Sequence, residues 1–209
     1  MNIVIDLSTP IFFILLCIGS GIGWILWRRN HWQFRYWLIP IFLCYTLLLL
    51  QLTVFPIHIL DKENLDKIWK GAGKYFVFYQ LIPFASIKNY FLGSAVVQLV
   101  GNIVLLSPLA VFSEIFLRQR LKAWIVVLGV SAVSLLIEIT QLVISLTTQY
   151  PNRVADVDDL FLNILGIVIS VIITRRISKS KKIRKALNRI FYHWDIWRVR
   201  KISILWTTR

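Results

Sequence analysis

The sequence predicts an all-α fold: a polytopic membrane bundle of about five transmembrane helices, with the N-terminus outside, the C-terminus cytoplasmic and a basic amphipathic helix at the C-terminal end. Its 209 residues are 57% hydrophobic with a mean hydropathy of +0.69, more than a soluble domain of this size needs. The apolar runs are continuous rather than alternating, so they favour helices over a transmembrane barrel. Lys and Arg are concentrated in segments expected on one side of the membrane.

The spans are predicted from the continuous apolar runs at Ile11–Trp27, Tyr36–Pro56, Ala95–Phe116, Ala123–Leu146 and Asp159–Thr174. The first run is followed, not preceded, by Arg28 and Arg29, the charge pattern of a retained first span rather than of a cleaved signal peptide. The fifth run is short for a helix that needs about 20 residues to cross a bilayer. We therefore expect it to start within the preceding connector or to lie in a thinned region of the membrane.

Nearly forty residues separate the second and third runs and contain an apolar aromatic piece, KYFVFYQLIPF, at residues 74–84. This piece is too short to span the membrane and contains Pro83. We predict an interfacial or re-entrant segment that rests on the bundle. The alternative is a sixth, broken span.

The distribution of Lys and Arg predicts the orientation. Eighteen of the 24 lie in the first loop, the third loop and the tail from Arg175 onward, and six lie in the second loop and the connector. The positive-inside rule places the eighteen in the cytoplasm and the connector outside. We accordingly divide the chain into a membrane domain, residues 1–175, and a cytoplasmic tail, residues 176–209.

The tail carries apolar residues at helical spacing, with Lys and Arg over the rest of its surface. The apolar positions are Ile183, Ala186, Leu187, Ile190, Phe191 and Trp194. A basic amphipathic helix after a last span is expected to lie on anionic lipid of the inner leaflet. RNA or protein binding is the alternative, but no nucleic-acid motif is present, so no nucleic acid partner is expected.

Four polar residues lie within the apolar runs: Asn102, Glu138, Gln141 and Asn163. At 1.5 Å per residue they fall roughly 6–14 Å below the outer surface. Each belongs to a stripe at spacings of three and four, so the stripes should face one another. Polar groups at membrane depth are costly and need partners or a wet cavity. They indicate either a network that locks the bundle or a binding site.

The connector adds Arg153, Asp156, Asp158 and Asp159 in the stretch RVADVDD. Asp159 would favour the N-terminus of the fifth span electrostatically. Three carboxylates in four positions are also compatible with a divalent cation, although an EF-hand's glycine and distal Glu are lacking. Arg153 is expected to pair with these Asp residues or to hold a phosphate or carboxylate of a ligand.

Cys17 and Cys44 both lie in apolar runs and are expected to be small buried hydrophobes, not a disulfide or a metal site. No phosphate-binding loop or dinucleotide fingerprint occurs, so no cofactor is predicted. His31, His58 and His193 lie far from the polar residues in this topology, which argues against a Ser-His-Asp arrangement. No catalytic or metal-binding residue is assigned.

At these residues the chain resembles the VanZ-like family of bacterial membrane proteins. The resemblance covers roughly residues 36–175 and includes NIVLLSPLA, which begins at Asn102, and QLIPF at residues 80–84. The spaced pattern that carries it is Glu138, Gln141, Arg153, Asp156, Asp159, Asn163 and Gly166. Gln80 stands where the family usually has Asn, and Ala110 stands where Gly is common.

The resemblance implies a multi-pass protein of the bacterial cell membrane with a role in low-level resistance to glycopeptide antibiotics, chiefly teicoplanin, and no established enzymatic activity. We therefore expect a non-enzymatic protein that binds a lipid-linked cell-wall precursor, a membrane lipid or the tail of a lipoglycopeptide. The candidate ligand-binding residues are Asn102, Glu138, Gln141, Arg153, Asp156, Asp159 and Asn163. Two alternatives remain open. One is a membrane enzyme with Glu138 and Asp159 as acid and base, and the other is a transporter or flippase component with Glu138 as its proton site.

Overall fold

The computed structural model describes residues 2–7, 9–29, 38–72, 77–92, 96–117, 121–183 and 185. Within them the helices are α1 Thr9–Arg29, α2 Leu38–Thr53, α3 Lys62–Ala72, α4 Ala85–Leu92, α5 Val96–Leu105, α6 Ser107–Phe116, α7 Ala123–Thr148 and α8 Val157–Ser178. The strands are β1 Ile3–Ile5, β2 Ile57–Ile59, β3 Tyr79–Gln80 and β4 Ala155–Asp156. The predicted all-α membrane-type fold is confirmed.

Three helical segments are long and apolar enough to cross a membrane: Val96–Phe116, Ala123–Thr148 and Val157–Ser178. They correspond to the third, fourth and fifth predicted spans. The last of these helices begins at Val157, within the connector, which was one of the two predictions for the short fifth span. Its 22 residues are enough to cross a membrane. The apolar parts of α1 and α2 are shorter, and the count of five spans stays a prediction. The tail beyond residue 185 lies outside the described residues, as does the first loop at residues 30–37.

The third predicted span is not one continuous helix but two, α5 and α6, which meet at Leu106. Pro108 lies in the first turn of α6 and has no amide hydrogen to continue the helical ladder. The Tyr45 hydroxyl on α2 donates to the Leu105 carbonyl oxygen at 3.0 Å. The Leu105 carbonyl group, which lies at the break, therefore has a hydrogen-bond partner inside the bundle.

α8 is the central helix and packs against α5, α6 and α7. Gly166 permits the contact with α5, because a side-chain carbon there would lie 2.7 Å from the carbonyl carbon of Ile103. The apolar core continues along α8 through Ile167 and Val171, and reaches Leu106 and Ala110 on the α5–α6 unit. Asp158, Asp159 and Asn163 therefore lie in the half of α8 that begins at the connector, and the apolar core lies beyond them.

Two small sheets lie at the end of the bundle formed by residues 149–156, which we call the connector end. β1 pairs antiparallel with β2, and β3 pairs in parallel with β4. Trp69 on α3 donates from Nε1 to the Gln149 carbonyl oxygen at 3.2 Å, which joins α3 to the connector. The described part of the aromatic piece, residues 77–84, contributes β3 and the turn before α4 to this end and forms no helix there, and the interfacial or re-entrant placement stays a prediction.

The opposite end of the bundle is held by an ion pair between α6 and α8. Arg175 donates from Nε to both carboxylate oxygens of Glu114, at 3.0 and 3.1 Å, and from Nη2 to the Leu121 carbonyl oxygen at 2.7 Å. The Glu114 side chain is fully buried. A buried carboxylate is tolerated here because a guanidinium engages both of its oxygens.

Candidate functional site: a polar cavity at the connector end

A cavity of about 620 Å³ opens at the connector end of the bundle. Its walls come from α2, α4, α5, α7, α8 and the connector. All seven candidate residues predicted from the sequence line it: Asn102, Glu138, Gln141, Arg153, Asp156, Asp159 and Asn163. The structure therefore brings the polar stripes of three helices and the connector side chains to one space.

In the cavity wall, Asp156 and Glu138 are joined to each other and to neighbouring groups by hydrogen bonds. The amide of Asp156 donates to Glu138 Oε2 at 2.9 Å, and both residues are buried. Asp156 also caps α8, since its Oδ1 accepts from the Asp158 amide at 2.8 Å, and its Oδ2 accepts from the Ser86 hydroxyl. Asp159 was the residue predicted to favour this helix terminus electrostatically. Asp159 does lie in the first turn, but the capping side chain is Asp156.

The polar residues of α5, α7 and α8 are joined across the bundle. Asn102 Nδ2 donates to Asp159 Oδ1, which links α5 to α8. Asn163 Nδ2 donates to Ser134 Oγ at 2.9 Å, which links α8 to α7. Asn163 is only 2% exposed, yet its Oδ1 has no hydrogen-bond partner among the described residues. A buried acceptor without a donor is costly, and this one belongs to a residue of the cavity wall.

Arg153 and Gln141 line the α2 side of the cavity. Arg153 Nη2 donates to the Phe55 carbonyl oxygen at 3.0 Å, and Gln141 Nε2 donates to the Thr53 carbonyl oxygen at 2.9 Å. In the described part of the chain the Arg153 guanidinium has this one hydrogen bond and no carboxylate partner. Its other N–H groups remain donors that can hold an anionic group bidentately. The predicted pairing of Arg153 with the connector Asp residues is not formed.

Asp158 has a role that sequence reasoning missed. Its side chain is fully buried and accepts backbone amides from Phe84 at 2.6 Å, Ser86 at 2.9 Å and Ile87 at 3.1 Å. It therefore caps α4 from a distance of more than seventy residues along the chain. One signal was present: no Ser, Thr, Asp or Asn occurs at residues 81–84, just before α4, so the helix needs a capping acceptor from elsewhere.

The three connector carboxylates consequently face different partners. Asp158 faces the amides of α4, Asp156 faces its own helix terminus and Ser86, and Asp159 faces Asn102. Within the described ranges no group of three or more His, Cys, Asp or Glu side chains is placed to hold a metal ion. What the cavity offers is carboxylate and amide oxygens as acceptors and one guanidinium as a donor, a set suited to a hydroxyl-bearing ligand with an anionic group.

The comparison with protein families agrees with the sequence pattern. The family model described as VanZ/LLP1 matches residues 42–178, a range that contains every residue placed in the cavity wall. No curated protein and no solved structure matches the chain significantly.

Proposed function

Because the chain belongs to the VanZ/LLP1 family and is a membrane protein, we propose that it is a multi-pass protein of the bacterial cell membrane whose polar cavity binds the headgroup of an amphiphile in the outer leaflet. The amphiphile is a lipid-linked cell-wall precursor, another membrane lipid or a lipoglycopeptide. Binding would alter how the drug meets its target at the membrane and so give low-level protection against teicoplanin-type antibiotics.

One observation carries this proposal: polar residues of three helices and of the connector line one cavity, and two of these residues lack full hydrogen-bond partners among the described residues. Asn163 offers an unpaired Oδ1, and Arg153 offers unpaired donors. Polar groups at membrane depth are expensive to maintain. A network that merely locked the bundle would be expected to pair them, whereas a binding site leaves acceptors and donors open for its ligand.

The outer-leaflet assignment depends on the orientation of the bundle. The positive-inside rule favours a cytoplasmic location for residues 175–209, and hence an outer location for the connector end. In the same orientation the basic tail would lie on anionic lipid of the inner leaflet.

The experiment is drug susceptibility in a host that lacks the gene, with teicoplanin and vancomycin compared. The wild type is expected to protect against teicoplanin, which has a lipid tail, and not against vancomycin, which has none. Arg153→Ala, Glu138→Gln and Asp159→Asn are expected to lose protection at unchanged membrane levels, and Arg176→Ala, outside the cavity, is the matched control. Equal protection against both drugs, or full protection by the Arg153 variant, would contradict the proposal.

A membrane enzyme acting on a lipid-linked cell-envelope substrate is the second candidate. It is favoured by the position of Glu138 and Asp159 on facing helices around one cavity that also contains Arg153. In that case one carboxyl group would act as acid, the other as base, and Arg153 would stabilise a developing anion. A chemically altered lipid precursor in cells that make the protein, absent with Glu138→Gln, would favour this candidate over simple binding.

A further inference from the structure

A second, apolar groove of about 460 Å³ lies beside the polar cavity. It runs between β3, one face of α7 and the start of α8. The residues that line it are Tyr79, Leu81, Leu135, Glu138, Ile139, Leu142, Ala155, Asp156, Val157 and Leu160. The acidic residues in this wall, Glu138 and Asp156, are the pair that also lines the polar cavity.

The two spaces are separated by a thin partition. The hydrogen bond from the Asp156 amide to Glu138 Oε2 is part of it, and the residues of this bond line both sides. On one side lie Arg153, Asn163 and the other polar groups. On the other side lie the hydrocarbon side chains of α7 and α8. The site as a whole therefore has a polar half and an apolar half that meet at Glu138 and Asp156.

We propose that the apolar groove is an acyl-chain subsite, which seats one hydrocarbon chain of the same amphiphile whose headgroup occupies the polar cavity. The inference rests on the proposed function for the identity of the cavity's occupant. It goes beyond that function by assigning a second site, on different residues, to the other end of the molecule.

The surroundings of the groove favour a hydrocarbon chain over a peptide. Apolar side chains are exposed at its rim. Leu135 is 48% exposed and lies on α7, an apolar helix long enough to span the membrane, and Leu81, just after β3, is 67% exposed. The molecules that cover such a surface in a bilayer are lipid chains. An extended peptide would bring backbone N–H and C=O groups to a wall whose exposed surface is almost entirely hydrocarbon, although Tyr79, Glu138 and Asp156 belong to it.

The groove is expected to position the ligand rather than to add affinity. A chain that leaves the bilayer for the groove exchanges one hydrocarbon surface for another, so no hydrophobic driving force accompanies the transfer. What the groove supplies is a fixed path from the membrane to the partition at Glu138. It thereby selects ligands that carry a chain directly beside a polar headgroup.

The test is photo-crosslinking in lipid nanodiscs that contain a trace of phosphatidylglycerol with a diazirine at the end of one acyl chain. Wild-type protein is expected to carry adducts on groove residues such as Leu142 and Leu160 in excess of those on the lipid-facing residue Leu128, and unlabelled phosphatidylglycerol should compete for them. Leu135→Trp fills the groove and should lower the groove adducts at least about five-fold, the order of effect expected when added side-chain volume displaces a ligand.

The matched control is Leu136→Trp, which makes the same substitution at the next position of α7, on a residue that is 61% exposed and does not line the groove. It should leave the groove adducts unchanged. Ile139→Trp provides a second groove-filling variant if Leu135→Trp accumulates poorly. Adducts spread evenly over the lipid-facing residues of α7, or groove adducts that survive both groove-filling variants, would overturn the subsite.

Arg153→Ala separates this inference from the proposed function. Groove adducts that persist in Arg153→Ala would support the acyl subsite while contradicting the headgroup role of the polar cavity. Conversely, absent groove adducts in a protein whose drug protection depends on Arg153 would overturn the subsite and leave the proposed function standing.

Discussion

Three neighbouring carboxylates illustrate how much a residue's role depends on its partners. Asp156 caps α8 and closes the wall between the two spaces, Asp158 caps α4, and Asp159 joins α8 to α5. Their side chains are identical, and the sequence placed Asp156 and Asp159 together as ligand candidates. The lack of a capping residue before α4 indicated that an acceptor must come from elsewhere, but it could not identify Asp158, because the amides that Asp158 accepts lie 71 to 74 residues away along the chain.

Asp158→Asn is expected to destabilise the protein more than Asp159→Asn. The Asn side chain has one acceptor oxygen, whereas Asp158 accepts from Phe84 with one oxygen and from Ser86 and Ile87 with the other. At least one backbone N–H group is therefore left unpaired, at a cost of about 2 kcal/mol. Thermal unfolding in detergent should show a lower midpoint for Asp158→Asn, with faster proteolysis at residues 79–92. Identical midpoints for the two variants would contradict the capping role.

At the scale of the element, most helices follow from the apolar runs, and the deviations have identifiable causes. The break between α5 and α6 was signalled by Pro108, but a 22-residue apolar run at Ala95–Phe116 dominated the prediction. The strands were missed because they are two or three residues long and pair with partners distant in sequence, as in Tyr79 with Ala155. Local hydrophobic periodicity carries no information about such pairings.

The close approach of α5 and α8 gives a second prediction, with a matched control on α7. Gly166→Ala would place a methyl group against the Ile103 carbonyl group. α5 and α8 would have to move apart and lose packing, so the free energy of unfolding is expected to fall by about 1–3 kcal/mol. Gly129→Ala has nothing within 4 Å of the added carbon and should be neutral or stabilising, because Ala is the better helix former.

Thermal unfolding of both glycine variants in the same detergent provides the measurement. The Gly166 variant should unfold at a lower temperature than wild type, and the Gly129 variant at the same or a higher temperature. Similar destabilisation by both would show that the α5–α8 contact is not the determining feature.

At the scale of the whole molecule, the bundle has a polar end and an ion-paired end. The connector end holds the cavity, the groove and the two small sheets, and the other end holds the Glu114–Arg175 pair. The sequence was sufficient to group Asn102, Glu138, Gln141 and Asn163, because helical spacing and depth along a span are local properties. Arg153, Asp156 and Asp159 were added from the charged connector between two spans. The groove could not be predicted from the sequence, because it forms where β3 lies beside α7 and that contact joins distant parts of the chain.

The orientation of these ends is testable by cysteine labelling in intact cells, in a background with Cys17 and Cys44 replaced. A cysteine at Lys67, an exposed residue of α3 at the connector end, should react with a membrane-impermeant maleimide. A cysteine at Lys179, just beyond α8, should react only after the membrane is permeabilised. The reverse pattern would place the cavity in the inner leaflet and remove the link to drugs that act from outside.

The most direct test of the central claim is native mass spectrometry of the protein extracted in mild detergent from the membranes that contain it. Wild type is expected to retain one amphiphile of defined mass, and a variant that combines Arg153→Ala with Asn163→Ala is expected to lose it, because the open donors and the open acceptor of the cavity are removed together. Arg176→Ala, at the opposite end of the bundle, should retain it. A wild-type protein with only a heterogeneous lipid background, equal to that of the double variant, would contradict the account.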